Sequence, residues 1–180
     1  MLQNCCFTGH RHIPGGETVN LKIELDVCLR TLIAKGVHTF YCGGARGFDL
    51  LAAEAVVHLK KTYPFIRLCF ILPCKTQTKF WQDADKQKYS FVLAHADDVQ
   101  CLYETYTPRC MYERNKELVA SADVCVCYLK EIKSGTAFTV ALAAKKHLQI
   151  IPLGLTEQEK EAFESTFLSA QLDLEYLEFE

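Results

Sequence analysis

Apolar residues occur in two kinds of segment along the chain. Short apolar runs, typical of buried strands, lie at 4–7, 38–42, 66–72, 98–102, 124–128 and 149–153. Longer stretches between them predict helices at 18–34, 48–61, 79–95, 109–122, 134–146 and 156–170. Gly36 stands just past the first helical stretch, where glycine commonly ends a helix. The pattern therefore predicts six strands alternating with six helices.

Strands that alternate with helices and are apolar on both faces indicate a parallel sheet covered on both sides. The chain of 180 residues is long enough for one such core, and we see no internal repeat or second domain. We predict one α/β domain of three layers over residues 1–155, with a mostly parallel sheet. Residues 156–180 are predicted to add a C-terminal helix and an acidic tail.

Composition limits the function classes. The net charge is -2, which disfavours binding to duplex nucleic acid, and no apolar run approaches the length of a membrane span. The first residues do not resemble a signal peptide, so we expect a cytoplasmic protein without membrane contact. The ten cysteines contain no C-x2-C pair, which argues against zinc. We expect most of them to be core residues, with Cys74 and Cys110 in loops.

The stretch Cys42-Gly-Gly-Ala-Arg-Gly-Phe-Asp49 joins the second strand to the second helix. Gly43, Gly44 and Gly47 would let the backbone approach a ligand, and Arg46 suits a phosphate. A tight turn and a solvated arginine are the alternatives. Asp49 is most simply a helix N-cap, and its functional alternative is a carboxylate that contacts a ribose hydroxyl or activates water.

Other polar loops follow strands and should lie at the same edge of the sheet, because the carboxyl ends of parallel strands meet there. Thr8-Gly9-His10-Arg11 offers a hydroxyl, a candidate acid–base histidine and an arginine for phosphate or a salt bridge. Ser134-Gly135-Thr136 opens a helix as an anion site or a plain cap. Arg114-Asn115 lies mid-helix and could reach beneath the site.

These segments together resemble the YpsA family of the SLOG superfamily, which also holds DprA and the LOG phosphoribohydrolases. The resemblance rests on the Thr8–Arg11 and Gly43–Asp49 loops, Pro73, Trp81, Tyr89, Arg114-Asn115 and Ser134–Thr136. It implies a Rossmann-like domain that binds a nucleotide or nucleotide-derived ligand. The implied ligand-binding residues are Thr8, Gly9, His10, Arg11, Gly43, Gly44, Ala45, Arg46, Gly47, Arg114, Asn115, Ser134, Gly135 and Thr136.

One departure from the superfamily bears on activity. LOG enzymes carry a catalytic glutamate where this chain has Thr139, and a threonine cannot stabilise a developing oxocarbenium ion as a carboxylate does. We therefore expect a ligand-sensing protein without a metal or resident cofactor. The alternative is a nucleotide N-glycosidase with Asp49 as its catalytic residue, helped by His10. Weaker alternatives are single-stranded nucleic-acid binding and, from apolar faces on the later helices, a homodimer.

Overall fold

The structure, a computed structural model, describes residues 2–168 and has the predicted α/β order. The strands are β1 Asn4–Gly9, β2 Thr39–Cys42, β3 Arg67–Cys74, β4 Asp98–Tyr103, β5 Val124–Tyr128 and β6 Gln149–Pro152. The helices are α1 Thr18–Ala34, α2 Phe48–Leu59, α3 Asp83–Ala94, α4 Cys110–Ala120, α5 Gly135–Lys145 and α6 Glu157–Phe163, and a short π-helix, Glu164–Leu168, continues α6. The predicted acidic tail and the end of the last predicted helix lie outside the described residues.

All six strands form one parallel sheet in the order β4-β3-β2-β1-β5-β6. β1 lies at the centre, between β2 and β5. The chain builds outward from β1 to β4 on one side and then returns to add β5 and β6 on the other. The strand order therefore reverses at β1, and such a reversal opens a crevice at the carboxyl ends of the strands.

Two hydrophobic cores cover the two faces of the sheet, which confirms the three-layer architecture. One core packs α1, α2 and Val92 of α3 against Phe7, Phe40 and Phe70. The other packs α4, α5 and the C-terminal helical segment against alternate strand residues such as Cys6 and Cys127. Successive strand residues point to opposite faces, so strands buried on both sides are apolar throughout.

Most element boundaries differ from the prediction by one or two residues, and the differences at β3 and α3 have a physical reason. β3 continues through Pro73 to Cys74, although proline usually interrupts a ladder. β2 ends opposite Phe70, so the missing N–H of Pro73 breaks no ladder with β2. α3 begins at Asp83 rather than at residue 79, because turns precede it: Lys79 N donates to Thr76 O at 3.1 Å.

The cysteines are free thiols, and most are core residues as predicted. The expectation that Cys74 and Cys110 lie in loops was wrong. Cys74 ends β3 and Cys110 begins α4, and packing of these elements leaves both side chains fully buried. Burial also raises the pKa of the Cys5 and Cys42 thiols, which keeps them in the unreactive form.

Ten large apolar side chains are exposed among the described residues. In the described residues 2–168, no helix is both long and apolar enough to cross a membrane. On α1, Val19, Ile23 and Val27 recur four residues apart and are exposed. The predicted homodimer stays a prediction.

Candidate functional site

A cleft of about 650 Å³ opens at the carboxyl ends of β1 and β5, where the strand order reverses. This volume lies within the range of about 300–1,000 Å³ that small-molecule sites usually have. Its walls come from the loops after β1 and β5, the starts of α2 and α5, one side of α4, and α6. Eleven residues predicted for the site line it: Thr8, Gly9, His10, Arg11, Ala45, Asp49, Arg114, Asn115, Ser134, Gly135 and Thr136.

The remaining predicted residues, Gly43, Gly44, Arg46 and Gly47, are not among the residues that line the cleft. A Cβ at Gly43 would stand 1.6 Å from Nη1 of Arg114, so the glycine makes room for that side chain. Gly47 has φ 72°, and a Cβ added at this position would stand 2.4 Å from the carbonyl oxygen of His10. Both glycines thus serve close packing of protein groups. Their predicted contact with a ligand stays a prediction.

Arg46 turns away from the cleft. Its guanidinium carbon lies 5.9 Å from the ring centre of Trp81, and Nη1 lies 3.9 Å from Oδ2 of Asp85 on α3. Trp81 packs edge-on against Tyr89, with ring centres 5.5 Å apart. The arginine therefore joins the glycine loop to α3, and this arrangement favours a structural role.

A buried ion pair forms the floor of the cleft. Nη1 of Arg114, from α4, lies 3.5 Å from Oδ2 of Asp49, from α2, and the two side chains are only 8% and 4% exposed. Neither Nε nor Nη1 of Arg114 has a hydrogen-bond partner among the described residues. A buried guanidinium with unmet donors is costly, and the Asp49 carboxylate at 3.5 Å is the one ion-pair partner that the described residues give it.

The prediction that Asp49 caps α2 was wrong, because Asp49 is the second residue of the helix. Gly47 holds the N-cap position, and Oδ2 of Asp49 instead accepts a hydrogen bond from Ala45 N at 3.2 Å. Burial raises the pKa of Asp49 to about 6, while Arg114 opposes that shift. A carboxyl group with this pKa changes its charge near neutral pH.

His10 joins two walls of the cleft. Its Nε2 accepts hydrogen bonds from the backbone N–H groups of Lys130 at 2.7 Å and Glu131 at 3.0 Å. Burial lowers the pKa of His10, so the neutral ring is favoured. A ring nitrogen already engaged by two donors is poorly suited to the predicted acid–base role.

The start of α5 faces the same cleft. Ser134 is its N-cap: its hydroxyl accepts from Ala137 N at 3.1 Å and donates to Glu131 O at 2.8 Å. A Cβ at Gly135 would meet no atom within 4 Å, so space is open there. The N–H groups of Gly135 and Thr136 donate to no acceptor within residues 2–168. Thr139 is fully buried and donates to Gly135 O, so it does not face the cleft.

Sequence reasoning missed a polar network at the cleft mouth. The hydroxyl of Tyr128 donates to Glu17 at 2.8 Å, and Nζ of Lys130 lies 3.1 Å from Glu159 and 3.9 Å from Glu17. Lys130 follows β5 closely and could have been found from its place after a strand. The glutamates carry no comparable signal, because charges near the ends of α1 and α6 are typical of solvated surface.

The fold is that of a Rossmann-like protein, with a cleft at the switch point of a parallel sheet. The model of the YpsA family, described as the YspA SLOG family, matches residues 16–152, and the chain therefore belongs to this family. The match confirms the predicted resemblance.

Two relatives are similar over most of their length. A UPF0398 protein of Halalkalibacterium halodurans is 35% identical over 136 residues, which cover 73% of this chain and 71% of the relative. A UPF0398 protein of Lysinibacillus sphaericus is 29% identical over 133 residues, covering 72% of this chain and 73% of the relative.

Solved structures of DNA processing protein A show the same fold. The protein from Streptococcus pneumoniae has a TM-score of 0.65 at 13% identity, over 99% of this chain and 63% of that one. The Helicobacter pylori protein, described by its single-stranded DNA binding mode, has a TM-score of 0.59 at 20% identity, over 91% of this chain and 72% of that one.

Proposed function

We propose that the protein binds a phosphorylated nucleotide or nucleotide derivative in the cleft and acts as a ligand-sensing protein. The observation that carries this proposal is Arg114, a buried arginine that lines the cleft floor and whose guanidinium the described residues hydrogen-bond only incompletely. A phosphate or carboxylate oxygen is the acceptor that a guanidinium binds most strongly.

The surroundings of Arg114 support an anionic ligand. The free N–H groups at the start of α5 add donors and the positive end of a helix dipole. Arg11 also lines the cleft. The mouth, in contrast, presents the network of Tyr128, Lys130, Glu17 and Glu159, whose hydroxyl and carboxylate groups suit hydroxyl groups of a ligand. A ligand with a phosphate at one end and sugar hydroxyls at the other matches this division.

Two alternatives are weaker. An N-glycosidase is supported by the buried Asp49 carboxyl in the cleft, whose pKa is about 6. The other carboxylates that line the cleft, those of Glu17, Glu131 and Glu159, are not buried, so none forms a matched acid–base pair with Asp49. Single-stranded DNA binding would follow the structural likeness to DNA processing protein A. The net charge of -2 and the acidic mouth of the cleft disfavour a polyanion.

The test is a binding screen against mononucleotides, dinucleotides, ADP-ribose and cyclic nucleotides, read by thermal shift and calorimetry. The decisive variant is Gly135→Asp, which places a carboxylate in open space at the cleft. We expect it to fold normally, since acidic residues are favourable in a first helical turn, and to bind at least about tenfold more weakly.

Gly15→Asp is the matched control, because it makes the same change at a glycine with equally open surroundings outside the cleft lining. We expect it to bind as the wild type does. Equal binding by both variants, or no thermal shift with any nucleotide, contradicts the proposal.

A further inference from the structure

Both the backbone and the ring of His10 form hydrogen bonds with neighbouring segments. Its backbone N–H donates to Tyr128 O at 3.2 Å, and its carbonyl oxygen accepts from Phe48 N at 3.1 Å. Its backbone is thus fixed between β5 and α2, and its ring is fixed by Lys130 and Glu131. All four partners come from segments that adjoin the cleft.

The two ring contacts determine where the ring proton lies. Both partners of Nε2 are backbone N–H groups, which can only donate, so Nε2 must be an unprotonated acceptor. In a neutral imidazole the proton is then on Nδ1. Nδ1 has no hydrogen-bond partner among the described residues, and His10 lines the cleft.

The ring contacts also support the start of α5. The peptide that His10 holds contains Glu131, whose carbonyl accepts from the Ser134 hydroxyl. That hydroxyl in turn caps α5 through Ala137 N. A continuous chain of hydrogen bonds therefore runs from His10 to the helix end where Gly135 and Thr136 present free N–H groups.

We propose that His10 is a fixed neutral donor: Nε2 positions the loop between β5 and α5, and Nδ1–H hydrogen-bonds an oxygen of the ligand's phosphate. His10 thus determines specificity for an unprotonated acceptor and takes no part in proton transfer. The donor half of this inference rests on the proposed function, whereas the loop-positioning half concerns the ligand-free protein.

The loop-positioning half is tested by NMR of ¹⁵N-histidine-labelled, ligand-free protein at pH 7.5, with the His10 signals assigned by their loss in His10→Gln. We expect the Nδ1–H tautomer, which is the less common one for a histidine in water. We also expect the Lys130 and Glu131 amide signals to move in His10→Ala. They should return toward their wild-type positions in His10→Gln, whose side-chain carbonyl can accept from the same amides.

His58→Gln is the control, since His58 is exposed on α2 away from the cleft, and we expect it to leave these amide signals unchanged. An Nε2–H tautomer, or amide signals that do not respond to His10→Ala, overturns the loop-positioning half.

The donor half is tested by adding AMP to the same samples. We expect the Nδ1 signal of wild-type His10 to shift, and His10→Ala to weaken AMP binding by about tenfold, with most of the affinity recovered in His10→Gln. AMP binding that leaves the Nδ1 signal unmoved overturns the donor half while the proposed function stands. If no nucleotide binds the wild type, the proposed function and the donor half fail, and the tautomer and amide signals of the ligand-free protein still decide the loop-positioning half.

Discussion

Arg114 and Asp49 meet beyond the carboxyl ends of the strands, with Nη1 and Oδ2 3.5 Å apart, although their helices pack on opposite faces of the sheet. The contact is made over Gly43, whose missing side chain leaves the space that the guanidinium occupies. The glycine loop therefore shapes the cleft indirectly, because it leaves room for the arginine that lines the cleft floor.

Gly43→Ala should displace Arg114, because its Cβ would stand 1.6 Å from Nη1. We expect the free energy of unfolding to fall by roughly 1–3 kcal/mol, as overpacking of a buried site usually causes. Urea denaturation measures this change. Gly15→Ala is the control and should remain within about 0.5 kcal/mol of the wild type, since its surroundings are open. Equal stability of the two variants would contradict the assigned role of Gly43.

The pH dependence of stability should show the raised pKa of Asp49. Its folded pKa of about 6 exceeds the unfolded value of about 3.9, so the folded state binds more protons between these limits. Stability relative to Asp49→Asn should therefore fall as pH rises from about 4 to 6, by at most about 1.4 kcal/mol per pH unit, and then level off. Urea titrations at several pH values measure the difference, and a rise with pH in this window would refute it.

Asp49→Asn also separates sensing from catalysis. In a binding protein the variant removes a negative charge beside Arg114, so affinity for a phosphorylated ligand should rise by up to about tenfold, the factor that one pKa unit of interaction represents. In an N-glycosidase the same variant would retain binding and lose base release. Calorimetry and chromatographic product analysis on the same ligand decide between them.

Arg46→Ala should leave nucleotide affinity unchanged, because the guanidinium stacks on Trp81 outside the cleft. Its loss should alter Trp81 fluorescence and cost about 0.5–1 kcal/mol of stability, as for an exposed cation–π contact. Arg11→Ala is the matched comparison, since Arg11 also follows a strand but lines the cleft, and it should weaken binding. If Arg46→Ala abolishes binding instead, the ligand site extends to the Trp81 side.

Much of the fold was predictable from the sequence because burial on both faces of a parallel sheet leaves a strong pattern. The run 124–128 could be assigned residue for residue, since every side chain of β5 is buried. The boundary at Pro73 could not, because whether proline ends a strand depends on which neighbouring strand is still paired there.

The general location of the site was also predictable from the sequence, because loops that follow parallel strands gather at one edge. Which side chains enter the cleft was decided only by tertiary packing. Arg46 looked like the phosphate ligand and stacks on Trp81, whereas Arg114 reaches the floor through space left by a glycine 71 positions earlier. Glu159 lies at the cleft mouth, although its helix, α6, follows residue 152, where the match to the family model ends. Such contacts join residues that are far apart in the chain, so the local pattern of hydrophobic and polar residues cannot predict them.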